Sequence, residues 1–326
     1  MYLVTGGAGF IGSNIVAALS ARGDDVVVCD RLGDDERWRN LARHEIADII
    51  LPEALPAWLS AHAAEVQAII HMGAISSTTE TDVDLIVASN IRLTLDLWHW
   101  CARAGKPLVY ASSAATYGDG GAGFDDDAAP AALAKLQPLN AYGWSKLLVD
   151  RRIVRLAAAG QKPPQWAGLK FFNVYGPNEY HKGTMKSVVA QNHARVAAGE
   201  AIRLFHSYRA DYADGGQLRD FVYVRDCVDV VLWLLDNPGV SGLFNLGTGH
   251  ARSWLDLASA LFTAVGRPPN VKFIDMPETL RPKYQYFTEA RMDRLRAAGY
   301  TRPFTSLEDG VADYVRTYLS AADPYR

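Results

Sequence analysis

Along the first 175 residues, short and almost wholly apolar runs alternate with longer segments in which apolar positions recur every three or four residues. The runs are YLVTG (2–6), DVVVCD (25–30), VQAIIHMGA (66–74), PLVYASS (107–113) and AGLKFFNV (167–174). The segments between them include IGSNIVAALSARG (11–23), VDLIVASNIRLTLDLWHWCARAG (83–105) and the stretch from Asn140 to Ala159. A strand that is apolar at every position has both faces covered, so the alternation predicts an α/β fold with a parallel sheet between two layers of helices. Past Pro177 the pattern is mixed. It reads as a helix near 184–198, short strands IRLF (202–205) and RDFVYV (219–224), a helix VRDCVDVVLWLLDN (224–237), a strand GLFNLG (242–247) and further helices. We expect residues 1–172 to form the first lobe, with chain from about 221–248 returning to it, and residues 173–326 to form mainly a smaller second one. Two stretches, 118–140 and 206–220, are rich in Gly and Asp and read as long loops. Lys170, inside an apolar strand, reads as an edge residue that snorkels to solvent.

The 326 residues, 49% apolar and 21% charged, are enough for a sizeable core and too apolar for disorder. A formal net charge of −3 leaves no basic footprint for nucleic acid and no polybasic membrane patch, so the expected partner is a small molecule. No uninterrupted apolar run approaches the ~20 residues that span a bilayer, and the N-terminus lacks the pattern of a secretory signal. Cys29, Cys101 and Cys227 are odd in number and each lies in an apolar segment, which suits buried thiols in a reducing cytoplasm better than a disulfide framework.

The chemistry concentrates at strand ends. In VTGGAGFIG (4–12), Gly6, Gly7, Gly9 and Gly12 follow a strand and open a helix, the context in which a backbone approaches a pyrophosphate and free N–H groups attract it. Asp30 ends the second strand at roughly the ~20-residue offset of a ribose-binding carboxylate. Arg31, Arg37 and Arg39 follow, and a guanidinium there could clamp a ribose 2′-phosphate. Asp30 argues for NAD and Arg31 for NADP. In YASSAATYG (110–118), Ser112, Ser113 and Thr116 stand where a strand ends and a loop begins. In YGWSK, Tyr142 and Lys146 are four apart, on one face of a helix, where an ammonium favours the phenolate and makes the tyrosine a usable base. Tracts of His, Cys and carboxylate at metal spacing are missing, so no metal is expected.

These motifs in this order resemble the extended short-chain dehydrogenase/reductases. Within that superfamily, GAISSTTETD, FNVYGPNEYHKGTMKS, LRDFVYVRD and LRPKYQYFT are similar to the ADP-heptose 6-epimerases over nearly the full length. The resemblance implies a Rossmann-type doubly wound parallel sheet with a smaller mixed α/β C-terminal substrate lobe. It implies an NAD(P)-dependent isomerase that inverts C6 of an ADP-heptose through a 6-keto intermediate, serves lipopolysaccharide core synthesis and works as a homo-oligomer. NADP is the expected cofactor, one per subunit and tightly bound, with NAD as the alternative. Gly6, Gly9, Phe10, Ile11 and Gly12, Asp30, Arg31 and Arg37, Met72, Gly73, Ala74, Ile75 and Ser76, and Asn90, Lys146, Val174 and Lys182 match its cofactor positions. Tyr142, Lys182, Ser113 and Lys146 match its catalytic ones, with Lys182 as the second acid/base that a face-inverting reaction can use. Ser113, Asn173, Thr184, Gln191, Phe205, His206, Ser207, Arg219 and Tyr284 match substrate contacts, the 205–207 stretch and Arg219 holding the ADP pyrophosphate. The chain departs from the pattern with Pro52 for a lysine, Met72 for an acidic residue and Gln191 for a histidine. A 4-epimerase of UDP-hexose, a dehydratase and a non-catalytic nucleotide sensor are the alternatives. SSAAT offers no acidic residue beside the serine for a dehydratase.

Overall fold

The computed structural model describes residues 1–278, 280–281 and 284–326. Six strands in its first half are β1 (Tyr2–Thr5), β2 (Val26–Cys29), β3 (Asp48–Ile50), β4 (Ala68–His71), β5 (Leu108–Ser113) and β6 (Trp166–Phe171). Then come β7 (Asn173–Tyr175), β8 (Ile202–Phe205), β9 (Leu218–Tyr223), β10 (Gly242–Leu246), β11 (Ala251–Ser253) and β12 (Val271–Ile274). Seven of these build one parallel sheet in the order β3-β2-β1-β4-β5-β6-β10. Strand order runs one way from β1 to β3 and the other way from β4 onward, so a crevice opens at the carboxyl ends of β1 and β4, the place where such sheets take their ligands. The apolar strands are apolar because helices cover both faces: Leu3, Val27, Ile70, Val109, Leu169 and Leu243 are all buried in the first core.

A second apolar core lies among the helices Val188–Ala197, Trp254–Val265 and Leu307–Asp313, where Val189, Val196, Leu257, Leu261 and Val311 pack. Around it sit a three-stranded sheet, β11-β9-β7, and the parallel pair β12-β8. AGLKFFNV is therefore two strands. β6 ends at Phe171, the Phe172 amide donates to the Leu246 carbonyl at 3.0 Å, and β7 leaves for the other sheet.

Three readings from the sequence are corrected. Lys170 does not snorkel, because β6 lies between β5 and β10 and leaves its side chain with 0% exposure. Stretch 118–140 is not a plain loop: it holds a helical turn, Pro130–Leu133, and Phe124, Leu133 and Leu136 are buried. The helix read over 83–105 is interrupted by a π-helical turn, Val87–Arg92, of the kind that recurs at functional sites. The three cysteines are free and buried, and no described helix is long and apolar enough to cross a membrane.

Candidate active site

The crevice opens into a cavity of about 530 Å³, one end of which is built from β1 and the helix Phe10–Ala21. Gly6 turns the chain with φ of +65° and passes so close to the β4 loop that a Cβ would lie 2.5 Å from the Gly73 nitrogen. Gly12 allows the helix to descend on that turn, since a Cβ there would lie 2.0 Å from the Gly6 oxygen. Gly9 caps the helix without a side chain, and no acidic residue stands in its first turn. The first-turn N–H groups and the positive end of the helix dipole are thereby left to an anion.

Asp30 closes this end, its carboxylate accepting from the Ala8 amide at 2.9 Å and the Arg31 amide at 2.7 Å. Burial raises its pKa and those amides work against the rise. Arg37 faces the cavity beside it, its guanidinium forked onto Asp35 at 2.9 Å. The Arg31 guanidinium is 63% exposed, pairs with Glu53 and is not among the lining residues.

At the other end of the cavity, β5 delivers Ser113 and the helix Ala141–Ala158 delivers Tyr142 and Lys146. Asn140 caps that helix by accepting from the Gly143 amide at 2.8 Å. Ser113 accepts from the Ala115 amide at 3.1 Å, which fixes its hydroxyl. Burial lifts the Tyr142 phenol above its ordinary value, and the neighbouring Ser113 hydroxyl opposes the lift. Lys146 donates to the Ala111 carbonyl at 2.8 Å; burial pulls its pKa down to about 8, with the Asp150 charge pulling the other way. Behind the Met72–Ser76 wall, Asn90 exchanges hydrogen bonds with the Ile75 backbone at 2.8 and 3.0 Å and donates to Ser145 at 3.1 Å. It is fully buried and supports the wall without facing the cavity.

Lys182 reaches the same cavity from another part of the chain, the turn Tyr180–Met185. Its ammonium lies 5.3 Å from the centre of the Phe10 ring, and burial lowers its pKa against the charge of Glu179. Gly183, next in the chain, has φ of +54° with no atom within 4 Å of a Cβ, so glycine is there for the turn and not for space. The base of this segment is stitched to the helix Phe10–Ala21 and the loop before it. Asn14 donates to the Pro177 carbonyl at 2.9 Å, Asn178 donates to Ser13 at 3.0 Å, and Asn40 donates to the Ala8 carbonyl at 2.8 Å and the Asn178 carbonyl at 3.3 Å. Asn178 itself has φ of +72°, a conformation that asparagine tolerates better than most residues.

The sequence pattern of the NAD dependent epimerase/dehydratase family matches residues 2–247. The chain belongs to that family. It is 51% identical to the ADP-L-glycero-D-manno-heptose-6-epimerase of Nitratidesulfovibrio vulgaris over 335 aligned residues, covering all of both chains. It is 46% identical to the enzyme of that name from Fusobacterium nucleatum, again over the whole of both. Among solved structures, the Helicobacter pylori ADP-L-glycero-D-manno-heptose-6-epimerase aligns with a TM-score of 0.79 at 28% identity, covering 98% of this chain and 96% of that one. The Thermus thermophilus UDP-glucose 4-epimerase, a complex with NAD, aligns at 0.76 and 26%, covering 98% and 99%. Like these relatives, the chain is an isomerase.

In this family member, a second set of expected residues lies outside the lining of the cavity. Arg219 is buried, makes no ion pair among the described residues, and lies with its guanidinium 5.2 Å from the Tyr284 ring and 5.8 Å from that of Trp254. It donates to the Leu218 carbonyl at 2.8 Å and to the Gln285 carbonyl. Phe205 packs edge-on to Tyr284, His206 pairs with Asp214 at 2.8 Å, and the Ser207 amide donates to the same carboxylate at 2.6 Å. Gln191 donates to the Thr184 and Lys186 carbonyls at 3.0 and 2.6 Å, tethering the Lys182 segment. Asn173 opens β7 beside the lining residue Val174. Pro282 and Lys283 of the LRPKYQYFT motif lie outside the described residues.

The sequence reading missed Ser77, Ala111, Phe171, Phe172, His181 and Met185 in the cavity wall. His181 alone carried a signal, its place beside Lys182. Burial and the Arg37 charge hold it down at about 4, so it is a neutral polar group there.

Proposed function

We propose that this chain inverts C6 of an ADP-heptose, interconverting the D-glycero and L-glycero forms with NADP(H) and supplying a heptose precursor of the lipopolysaccharide core. The observation that carries the reading is that Tyr142 with Ser113, and Lys182 from a separate segment, line one cavity. The glycine cradle, the free helix N-terminus and Asp30 fit a dinucleotide, with Arg37 at the ribose end. Bound there, a nicotinamide would supply reversible acceptance of the hydride that leaves C6. The residues of the chain handle the protons. Tyr142 exchanges the proton of the C6 oxygen on one face and Ser113 holds that oxygen by hydrogen bond. The Ser113 hydroxyl, and not the Lys146 ammonium expected from the sequence, offsets part of the cost that burial puts on the phenolate, while Lys146 ties the helix to the Ala111 carbonyl. Lys182 serves the other face after the ketone has turned. Residues 1–172, with the returning chain, hold the cofactor, and 173–326 mainly the sugar nucleotide, with Arg219 toward the ADP pyrophosphate.

Among the described lining residues Asp30 is the one carboxylate, and it stands at the nucleotide end. No lining acid is then available to expel a hydroxyl beside Ser113, which disfavours a dehydratase. The deciding test is incubation with ADP-D-glycero-D-manno-heptose while C6 configuration is followed by NMR. Epimerisation of UDP-galactose with the heptose untouched would overturn the reading. Arg37→Ala is expected to weaken NADP by about tenfold, on the order of 1.4 kcal/mol, and NAD far less. Calorimetric titration that finds equal losses removes Arg37 from recognition of a 2′-phosphate.

A further inference from the structure

The structure places an ion pair with no exposure at all behind the candidate site: Lys170 on β6 and Asp150 on the helix that carries Tyr142, Nζ to Oδ2 2.8 Å. Taking two charges out of water is costly, and apolar residues of similar volume would serve stability as well. A reason for the pair has therefore to be sought in what it holds.

Tyr142, Lys146 and Asp150 are spaced four apart, so they lie in a row on one helix face. Asp150 is the deepest of the three. Its Oδ2 also accepts from the Ser112 hydroxyl at 2.7 Å, and its Oδ1 from the Tyr110 hydroxyl at 3.1 Å. Lys170 donates in addition to the Thr116 hydroxyl at 2.8 Å, and Thr116 donates to the carbonyl of Ser113 at 2.8 Å. With Lys146 on the Ala111 carbonyl, three consecutive residues at the end of β5 are each tied to the Tyr142 helix or to the pair beneath it. The neighbouring strand makes room for this: a Cβ on Gly168 would lie 2.4 Å from the Tyr110 hydroxyl, so a larger residue there would push Tyr110 off Asp150.

We propose that Asp150 and Lys170 are positioning residues for the reaction, fixing Ser113 against Tyr142 and Lys146 through Ser112 and Thr116. The proposal rests on the reading that Tyr142 and Ser113 carry the chemistry. Neither charged group faces the cavity, so neither touches substrate. The acceptor of a transferred proton must be placed to within about half an ångström, and a misplacement of about 1 Å can cost on the order of a hundredfold in rate.

The test compares Lys170→Met, Lys170→Arg, Thr116→Val and Ser112→Ala in the full chain with bound cofactor. Lys170→Met is expected to lower kcat by about a hundredfold while KM and cofactor content stay within about twofold; Lys170→Arg, which keeps a cation for Asp150, should recover much of the loss. Thr116→Val and Ser112→Ala break one link each without stranding a buried charge, and should lower kcat by about tenfold at unchanged KM. They keep the proposal open to refutation if Lys170→Met does not fold. Unchanged kcat in folded Thr116→Val and Ser112→Ala would overturn it, and so would a loss that falls on KM. Hydrogen exchange at the amides of residues 110–118 should quicken in both hydroxyl variants, a readout that needs no substrate. Wild-type protein inert toward ADP-heptose would refute the substrate reading alone, and unchanged exchange in the variants would then refute the positioning role separately.

Discussion

Lys182→Met and Tyr142→Phe are each expected to lower heptose epimerisation by about 10³-fold while the protein keeps its fold and its cofactor. Neither side chain is part of a core. Tyr142 is partly buried beside Ser113, and Lys182 is partly buried on a turn whose following residues, Gly183, Thr184 and Met185, are exposed, so each substitution is expected to remove a proposed proton carrier and little of the core. The two should differ in their pH profiles. Burial favours the neutral form of Lys182, so it gives up its proton at lower pH than a free lysine, and the acid it provides is lost as pH rises through that range. Lys182→Met should erase this alkaline limb from kcat, whereas Tyr142→Phe should leave it in the residual activity. Stopped-time NMR of C6 configuration across a pH series measures both. A Lys182→Met protein with full activity would strike Lys182 from the mechanism and return the whole proton inventory to Tyr142.

Gly12→Ala should deprive the protein of its dinucleotide. The added methyl would meet the Gly6 oxygen at 2.0 Å and its carbon at 2.7 Å, both backbone atoms of a turn that is itself pressed against Gly73. Nothing flexible can yield, so the helix must retreat from the loop and take its N-terminal N–H groups with it. Overpacking of this kind costs about 1–3 kcal/mol of stability, and dinucleotide affinity should fall by about a hundredfold or more if, as proposed, the displaced groups hold the phosphates. Absorbance of the purified protein at 260 nm and scanning calorimetry report the two losses. A stable variant that purifies with a full complement of cofactor would show that the crevice is not the dinucleotide site.

Much of this was legible because the main sheet is parallel. β1, β2, β4, β5, β6 and β10 are covered on both faces and so show as bare apolar runs, and the glycines and Asp30 announce the crevice at their ends. β3, β7 and β11 gave no such signal, because three residues cannot display a period. The 118–140 stretch hid its structure for another reason. Its Gly and Asp content reads as loop, yet Asp126 is buried and accepts from the Asn245 amide at 2.8 Å, a bond across more than a hundred residues. Lys170 failed in the same way. An ammonium in an apolar strand is read by its own cost of burial, while the partner that offsets the cost sits 20 residues away on a helix that only the fold brings back. Tyr142 and Lys146 stood out because their spacing is local and Ser113 because it ends a strand, whereas Lys182 needed its neighbours HKGTM to stand out from any loop lysine.

The asparagine stitching joins the helix Phe10–Ala21 and the Lys182 segment into one unit. Asn14, Asn40 and Asn178 span the joint, so whatever stabilises the helix end also stabilises the turn that carries Lys182. On the proposed reading, a dinucleotide that orders the helix end should also order that turn. Under the proposed mechanism the hydride returns in every cycle and the cofactor need not exchange, and its release is expected to loosen the turn that carries Lys182.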